Sequence, residues 1–375
     1  MRITAIRGVH VSIPLSVPYK LSRVYGTVSS ADAVVVRLTT DTGLVGYGEA
    51  DPHHPFTADT VEGTIQAIRD RLGPALIGSD PREIKRLERE MDDVLDGHLM
   101  AKGAIDMALF DLAGKSYGVP VHALLGGKLR ERVLLSFPLG SGTAEEDMEV
   151  IEARTALGFR SFMAKMGRNP IPDEIKRVHK LSERYAGKVH LVADANQGWS
   201  EAEAVEFTAG VEGTFLELLE QPVPAGEHEA LQRIRAKSTV PISADESVIT
   251  AGDALQLVAR GAVDAYSVKA SKNGGLTKAH RIVSIIEAAQ LECRMNSMLE
   301  FGVTQAALLH LGAVTQRLIP SGHAYMSTLR MSADFTDFPK RLRDGYAYVS
   351  DAPGLGVSID DGVLATHARS SFEVT

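Results

Sequence analysis

The chain has 375 residues, of which 44% are hydrophobic and 23% charged, and its formal net charge is −8. This composition is that of an ordinary globular protein, and the acidic excess argues against a nucleic-acid-binding surface. Since no run of 18 apolar residues occurs, we predict no membrane span. The one cysteine, Cys293, cannot form an internal disulfide, so we expect a cytoplasmic protein.

The first third of the chain predicts a compact α+β unit. The segments typical of strands are residues 3–14, 33–38 and 45–49, the last two joined by the turn Asp41-Thr-Gly43. The segments with the apolar spacing of helices are residues 58–72, 82–95 and 100–118. Strands followed by helices in this order predict an α+β domain over residues 1–130.

A different pattern begins near residue 133, where short apolar runs alternate with helical patterns about every 25 to 30 residues. The runs are residues 133–138, 162–166, 189–194, 215–220, 242–245 and 265–269, with weaker ones at 293–296 and 318–321. This repetition predicts a parallel βα barrel over residues 131–325. An open doubly wound sheet fits less well, because no GxGxxG follows the first strand and no P-loop occurs. Residues 326–375 have no βα unit left to form and are expected to pack back on the first domain.

Charged residues end five of the predicted barrel strands. Asp194, Glu220 and Asp245, here called the acid triad, end three consecutive strands, and Lys165 and Lys269, the lysine pair, end the strands on either side. The loops that follow the strands form the mouth of such a barrel. Three neighbouring carboxylates repel one another unless a cation lies between them, and oxygen ligands suit Mg²⁺. Taken singly, each acid would be explained as a solvated loop residue or a helix cap.

The lysine pair is expected to lie across the mouth, one lysine facing the other. A divalent cation and a second lysine nearby would favour the neutral form of each amine, which suits a general base. Taken alone, each would be an ordinary surface lysine. Together with the acid triad, the pair predicts acid/base chemistry.

Several short motifs extend over nearly the whole chain. They are Gly46-Tyr-Gly-Glu-Ala50, Ala104-Ile-Asp-Met-Ala-Leu-Phe-Asp111, Leu124-Leu-Gly-Gly127, Ala193-Asp-Ala-Asn-Gln-Gly-Trp199, Leu219-Glu-Gln-Pro222, Ala244-Asp-Glu-Ser247, Lys269-Ala-Ser-Lys-Asn-Gly-Gly275, Met298-Leu-Glu300 and Pro353-Gly-Leu-Gly356. With these motifs the chain resembles the enolase superfamily, in its muconate-lactonizing subgroup. The resemblance implies a modified (β/α)₇β TIM barrel with an N-terminal α+β capping domain that the C-terminal segment, residues 326–375, completes.

The same resemblance implies roles for the strand-end residues. It implies one Mg²⁺ ion, which Mn²⁺ could replace, held by the acid triad, with the lysine pair as acid and base on opposite faces of the substrate. Asn196 and Glu246 are expected to support the metal ligands from behind. The family commonly carries Lys-x-Lys on the second strand, where this chain has Met163-Ala-Lys165. Residues 163 and 165 share a face of the strand, so we expect Lys165 to be less acidic than its counterparts, or the substrate carboxylate to be held differently.

Candidates for substrate binding come from the cap and from the later strands. Residues 19–30 match a mobile cap loop of these enzymes. The candidates are Lys20, Arg23 and Tyr25 in that loop, and Lys272, Met298 and Glu300 in the barrel. Lys272 could simply flank the site, and Glu300 could orient a lysine. Among the remaining residues, His53 and His54 are expected to be exposed, and Trp199 and Cys293 to pack in the interior.

The first functional hypothesis is a Mg²⁺-dependent isomerase of the muconate-cycloisomerase kind, acting through an enolate next to the carboxylate of a small molecule. The alternatives are a racemase or epimerase of an N-acyl amino acid, dipeptide or related carboxylate by 1,1-proton transfer, an acid dehydratase, and a catalytically silent barrel. Dipeptide epimerases of this subgroup carry Asp-x-Asp near the eighth strand, and the matching stretch here, Gly322-His-Ala-Tyr-Met326, lacks it. Related enzymes are usually homo-oligomers, and we expect the same here.

Overall fold

The first part of the chain forms antiparallel strands backed by helices, which we call the cap. The computed structural model describes residues 1–325 and 327–375. The cap strands are β1 (Ile3–Lys20), β2 (Thr27–Thr40) and β3 (Val45–Ala50), and the cap helices are α1 (Val61–Gln66), α2 (Gly73–Leu76), α3 (Ile84–Val94), α4 (Leu99–Tyr117) and α5 (Val121–Leu124). The predicted hairpin and the three predicted helical regions are present, the first of them interrupted by a π-helical turn at Ala67–Leu72.

Helix α4 is the centre of the cap, and residues 100–114 are all buried. Strand β3 lies directly against it because Gly46 and Gly48 have no side chain. A Cβ atom at Gly48 would overlap the carbonyl oxygen of Ala104, and one at Gly46 would overlap that of Ala108. This close approach explains the two glycines of the Gly46-Tyr-Gly-Glu-Ala50 motif.

Seven parallel strands and seven helices follow. After the short strand β4 (Arg132–Leu134), the strands are β5 (Ser136–Leu139), β6 (Ser161–Lys165), β7 (His190–Asp194), β8 (Leu216–Glu220), β9 (Ile242–Ala244), β10 (Ala265–Val268) and β11 (Glu292–Met295), hydrogen-bonded in that order. The helices are α6 (Ala144–Thr155), α7 (Ile171–Tyr185), α8 (Glu201–Gly210), α9 (His228–Lys237), α10 (Ala251–Arg260), α11 (Leu276–Ala288) and α12 (Gly302–Val314).

Three of these helices begin with a capping box, in which a hydroxyl side chain and an acid three residues later satisfy each other's backbone N–H groups. The pairs are Thr143 with Glu146, Ser200 with Glu203, and Thr250 with Asp253. These local signals fix where each helix starts, and therefore how long the loop after the preceding strand is.

The barrel is closed by the segment after α12. Leu318 forms a parallel bridge to Cys293 of β11, and His323 forms one to Leu135 between β4 and β5. The backbone N–H of Ser136 donates to the carbonyl oxygen of His323 at 2.8 Å. This segment is the eighth strand, so the architecture is (β/α)₇β.

The C-terminal segment returns to the cap. Its elements are two 3₁₀-helices (Ser327–Arg330 and Phe338–Arg341), strands β12 (Leu342–Arg343) and β13 (Tyr346–Tyr348), helix α13 (Asp361–His367) and strand β14 (Ala368–Val374). Strand β14 pairs antiparallel with β1 and completes a four-stranded cap sheet. Among the helices that the structure describes, none is long and apolar enough to cross a membrane.

Candidate active site

The acid triad and the lysine pair lie at the strand ends that the sequence predicted. Lys165, Asp194 and Glu220 end β6, β7 and β8, and the sheet register places Asp194 opposite both of the others. Asp245 and Lys269 directly follow β9 and β10. All five side chains are buried.

Each lysine of the pair is bound to one acid of the triad. Lys165 Nζ donates to Asp194 Oδ2, and Lys269 Nζ donates to Asp245 Oδ2 at 2.5 Å. Burial alone would favour the neutral amine, but the negative charge of the partner carboxylate outweighs it and raises the pKa of both lysines. The expectation of neutral amines presumed a divalent cation beside the lysines and stays a prediction; with an acid beside each lysine, the ammonium form is favoured.

Glu220, the middle acid, is held by three side chains. It accepts hydrogen bonds from Ser267 Oγ at 2.6 Å, Asn296 Nδ2 at 2.7 Å and Arg294 Nη1 at 3.0 Å. Burial raises the pKa of Glu220 to about 7, the charges of the other two acids add to the rise, and Arg294 opposes it. Sequence reasoning missed Arg294 and Asn296, although two polar residues at alternate positions of an apolar strand indicate a polar barrel interior.

Asn196 contacts the acid triad and Glu246 contacts Asn196, and their role as supporting residues stays a prediction. The backbone N–H of Asn196 donates to Asp194 Oδ1 at 2.9 Å, and its side-chain amide donates to Glu246 Oε1 at 3.4 Å. Tyr25 Oη, from the cap, also donates to Glu246 Oε1, at 3.1 Å. Asn196 Oδ1 and Glu246 Oε2 are buried and have no hydrogen-bond partner among the described residues.

The residues of this region fit an oxygen-ligated cation. Within residues 1–325 and 327–375, no three acidic, histidine or cysteine side chains converge at metal-ligand distances. Lys165, Lys269 and Arg294 donate hydrogen bonds to the triad. Three buried carboxylates on neighbouring strand ends need positive charge between or beside them. The two buried acceptor oxygens without a donor, on Asn196 and Glu246, also favour a cation. Oxygen atoms of this kind are the ligands that Mg²⁺ prefers.

A small cavity lies between the lysine pair and the cap. Its lining includes Lys165, Lys269, Met163, Met298, Tyr25 and Phe56. The cavity volume is about 60 Å³, enough for a few water molecules. The Phe56 ring centroid lies 4.2 Å from Lys269 Nζ, so the cap closes directly on a catalytic candidate.

Family models match both parts of the chain. The mandelate racemase / muconate lactonizing enzyme N-terminal domain matches residues 3–126, and the enolase C-terminal domain-like model matches residues 146–363. The chain belongs to the enolase superfamily, in its muconate-lactonizing subgroup. The recognition made from the motifs is thus confirmed, and so is the predicted fold.

Relatives of this superfamily member catalyse isomerisations, and it is itself an isomerase. It is 32% identical to muconate cycloisomerase 1 of Rhodococcus opacus over 376 residues, 99% of each chain. It is 30% identical to the N-succinyl-L-Arg/Lys racemase of Bacillus cereus over 365 residues, 97% of each chain. The solved dipeptide epimerase of Enterococcus faecalis, complexed with Mg and the dipeptide L-Leu-L-Tyr, has a TM-score of 0.89 and 32% identity, covering 96% of this chain and 100% of that one.

The six substrate-binding candidates of this superfamily member fall into three groups. Tyr25 and Met298 line the cavity, and their contact with a substrate stays a prediction. Lys272 and Glu300 lie behind it. Lys272 Nζ donates to Asp245 Oδ1 at 2.8 Å, and Glu300 is buried and accepts from the Gln305 side chain at 3.0 Å. These two support the site from behind and are not placed to contact a substrate.

Lys20 and Arg23 do not line the cavity, and their contact with a substrate stays a prediction. Strand β1 continues to Lys20, so alternation buries Tyr19 and exposes Lys20. Arg23 is at the surface, where its guanidinium pairs with Glu203 at 2.9 Å.

The cap loop after β3 supplies residues that sequence reasoning missed. Phe56 and His53 both line the cavity, and His53 is half-buried instead of exposed, whereas His54 is exposed as expected. Burial lowers the pKa of His53, and the charge of Lys269 lowers it further. Trp199 and Cys293 are buried as expected.

Proposed function

We propose that this isomerase is Mg²⁺-dependent and that it racemises or epimerises an N-acyl amino acid or a related carboxylate through an enolate. The observation that carries the proposal is the position of the lysine pair. Lys165 ends the second barrel strand and Lys269 follows the sixth, four strands apart in a barrel of eight. Their amines therefore approach one cavity from opposite walls.

That placement suits a proton transfer with inversion. One lysine, as the free amine, takes the proton from the carbon next to the substrate carboxylate, so that a C–H bond breaks and an N–H bond forms. The electron pair moves into the enolate. The other lysine, as the ammonium, returns a proton to the opposite face, and the same pair acts in reverse on the other stereoisomer.

Asp194, Glu220 and Asp245 would hold the Mg²⁺ ion, with Asn196 and Glu246 beside them. When bound, Mg²⁺ supplies positive charge that stabilises the charge developing on the substrate carboxylate, an effect worth several kcal/mol. Once the acid oxygens are engaged in this way, the lysine pair loses the partners that hold it protonated. For proton transfer the two amines must then stay in the cavity. The backbone positions of the lysines, at the end of β6 and directly after β10, keep them there.

Cycloisomerisation is the second candidate, favoured by the 32% identity to a muconate cycloisomerase over 99% of each chain. It needs the same enolate but only one proton-transferring lysine. No observation favours the dehydratase alternative.

The deciding experiment uses proton NMR in D₂O with Mg²⁺ and both enantiomers of a set of N-acyl amino acids, with cis,cis-muconate in parallel. We expect deuterium at the α-carbon and interconversion of the enantiomers. Lys165→Met and Lys269→Met should each abolish racemisation, and each should retain α-exchange with one enantiomer only. Lys20→Met, an exposed lysine outside the cavity, is the matched control. Lactone formation without exchange would favour the second candidate, and no reaction with any carboxylate would contradict the proposal.

Location and assembly are proposed on separate grounds. Cys293 is buried and unpaired, which suits a reducing cytoplasm.

Val17, Leu157 and Leu329 are exposed apolar side chains around one surface groove, which supports association between copies of the chain. Sedimentation velocity of the wild type and of Leu157→Glu would test that assembly.

A further inference from the structure

A groove on the cap, here called the cap groove, lies between the cap sheet and helix α13, away from the candidate active site. Of the described residues that line it, Arg7, Arg37 and Arg369 are arginines and Asp361 is an acid. Three positive charges against one negative charge make it a local exception in a chain whose formal net charge is −8. None of the described residues that line the cap groove also lines the cavity beside the lysine pair.

The register of the cap sheet brings two of these arginines together. Arg7 of β1 and Arg37 of β2 are paired residues of neighbouring antiparallel strands. Paired side chains lie on one face of the sheet with Cβ atoms about 4.5–5.5 Å apart, and like charges in such a pair destabilise the sheet. Val9 and Val35 are also paired, two residues along on the same face, and form the apolar floor of the cap groove.

Neither of the paired arginines has a counter-ion. Within residues 1–325 and 327–375, no ion pair and no side-chain hydrogen bond involves Arg7 or Arg37. Glu373 of β14 is paired with Arg7 in the register, yet its carboxylate does not reach the guanidinium. Arg37 is half-buried, and its Nε atom is buried with no hydrogen-bond partner among the described residues. A buried donor without an acceptor calls for an explanation, and an anion in the cap groove would provide one.

We propose that the cap groove binds a phosphate monoester, with the phosphate between Arg7 and Arg37 and the organic group on the apolar floor. A phosphate monoester carries a charge of about −1.5 to −2 at pH 7 and has three acceptor oxygens. Each guanidinium can donate two parallel hydrogen bonds to such oxygens. Arg369 and the hydroxyl groups of Ser370 and Ser371 line the wall formed by β14 and add further donors.

The size and the charge of the cap groove both favour this class of ligand. Its volume is about 440 Å³, within the range of roughly 300–1,000 Å³ that is usual for small-molecule sites. A carboxylate with one negative charge would leave one of the two paired guanidinium groups without a counter-ion. A phosphate monoester neutralises both, and it would therefore relieve the repulsion between Arg7 and Arg37.

Calorimetric titration of the full chain with phenyl phosphate, in the presence of Mg²⁺ and at constant low ionic strength, tests this site. Benzoate, with a single charge, and phenol, with none, are the comparison ligands, and both should bind more weakly. We expect Arg37→Gln and Arg7→Gln each to raise the Kd for phenyl phosphate by about 10-fold or more, the lower end of the range for a hydrogen bond to a charged group. Arg7 is exposed, so Arg7→Gln decides the question even if Arg37→Gln does not fold.

Arg89→Gln is the matched control. Arg89 is an exposed arginine on cap helix α3, outside the cap groove, and its substitution changes the net charge by the same amount. The Kd should stay at the wild-type value. An equal loss of affinity in Arg89→Gln would mean that only the net charge matters, and would overturn the site.

Three other results would also overturn it. The first is no binding of phenyl phosphate to the wild type. The second is equal binding of phenol, since the ring alone would then account for the affinity. The third is binding that survives in Arg7→Gln and Arg37→Gln but is lost in Lys269→Met, because the anion would then lie in the cavity beside the lysine pair.

Thermal unfolding gives an independent measurement of the same arginine pair. Without phosphate and at low ionic strength, Arg7→Gln should melt at the same temperature as the wild type or higher, because a like-charge pair is removed. Inorganic phosphate should raise the melting temperature of the wild type and of Arg89→Gln more than that of Arg7→Gln. A lower melting temperature of Arg7→Gln without phosphate would show that Arg7 already has a partner within the protein, and equal shifts with phosphate would show that the anion binds elsewhere. Either result would contradict the proposal.

Discussion

Glu49, in cap strand β3, accepts a hydrogen bond from the backbone N–H of Phe301, at the start of barrel helix α12, with a distance of 2.6 Å. Its other oxygen accepts from Val303 and Thr304 of the same helix. Asp106 of cap helix α4 does the same for α11, accepting from the backbone N–H of Thr277 at 3.1 Å. Two acids of the cap motifs thus satisfy the first turns of two barrel helices, where negative charge is favoured.

The Glu49 site makes stability depend on pH through its neighbour Asp51. Burial raises the pKa of Glu49 to about 7, and burial followed by the Glu49 charge raises the pKa of Asp51 well above its usual range. The folded protein therefore holds protons that the unfolded chain has released, so the free energy of unfolding falls as pH rises through this range. Asp51→Asn removes one of the two titrating carboxyl groups. We expect this variant to be more stable than the wild type at pH 8–9.

Urea unfolding at pH 4, 5, 6, 7 and 8 measures this difference, which should grow by up to about 1.4 kcal/mol per pH unit above the unfolded-state pKa of about 3.9. At pH 4 the variant should lie within about 1 kcal/mol of the wild type, because the amide can replace the protonated acid. Asp93→Asn, an exposed acid on α3, is the control and should follow the wild-type pH profile. A difference in unfolding free energy between Asp51→Asn and the wild type that stays constant with pH would contradict the raised pKa of Asp51.

Mg²⁺ should replace the charge that Lys269 supplies to Asp245. Breaking a buried ion pair by removing one partner costs about 3–5 kcal/mol. Because Lys272 still donates to Asp245, we expect Lys269→Met without metal to be less stable than the wild type by no more than that amount. Added Mg²⁺ should restore most of that stability while racemisation stays absent. Thermal unfolding with and without Mg²⁺ measures the rescue.

Lys278→Met provides the comparison, because Lys278 pairs with Asp92 and Glu88 on the other side of the cap. Its stability should not respond to Mg²⁺ beyond the wild-type response. If Mg²⁺ fails to rescue Lys269→Met, Asp245 is not a metal ligand.

The strand-end residues could be predicted from the sequence because βα repeats have a regular period and end at a fixed edge. Asp194 and Glu220 end their strands in the structure as the pattern required. The lysine pKa values could not be predicted in the same way, since they depend on which acid each ammonium group contacts. The contacts of each ammonium group depend on side-chain rotamers, and rotamers produce no periodic pattern in the sequence.

The cap side of the cavity was predictable only in part. Residues 19–30 were expected to be one loop, whereas β1 extends to Lys20 and alternation decides that Tyr19 faces inward. Phe56 and Arg330 come from irregular segments, where neither helix nor strand periodicity applies. Glu49 and Asp106 belong to recognised motifs, but their role in capping barrel helices depends on how the cap docks.

Met163 fills a place where the subgroup commonly has a lysine. It is 3% exposed and belongs to an apolar cluster in the barrel with Val192, Leu218, Ala265 and Ile319. Met163→Lys would add a charge among apolar side chains next to Lys165, and we expect a loss of about 2–4 kcal/mol in unfolding free energy. Met163→Leu, which conserves volume, should cost less than about 1.5 kcal/mol. If Met163→Lys has the same unfolding free energy in urea as the wild type, a nearby carboxylate must be able to pair with the new lysine.

His323 makes the barrel closure sensitive to acid. Its Nδ1 accepts from the backbone N–H of Met295 at 3.0 Å, and its Nε2–H donates to the carbonyl oxygen of Ile319 at 3.1 Å, so the ring must be neutral. Burial, reinforced by the charge of Arg294, lowers the pKa of His323 to about 3. The unfolded chain binds the proton near pH 6.5, so stability from this group is present above pH 6.5 and is lost as pH falls toward 3.

His323→Gln should therefore be less stable than the wild type at pH 7, where one buried hydrogen bond is lost, at a cost of about 1–3 kcal/mol. Between pH 6.5 and 4 the unfolding free energy of the variant should also fall less steeply than that of the wild type. The difference between the two slopes should be about 1.4 kcal/mol per pH unit. His310 has the same arrangement: its ring accepts from the backbone N–H of His122 and bonds the carbonyl oxygen of Leu355. The unfolding free energy of a variant with both His323→Gln and His310→Gln should therefore depend on pH even less. His54→Gln, in an exposed loop, should keep the wild-type slope. If His323→Gln also keeps that slope, the acid sensitivity arises elsewhere and the neutral imidazole is not what closes the barrel.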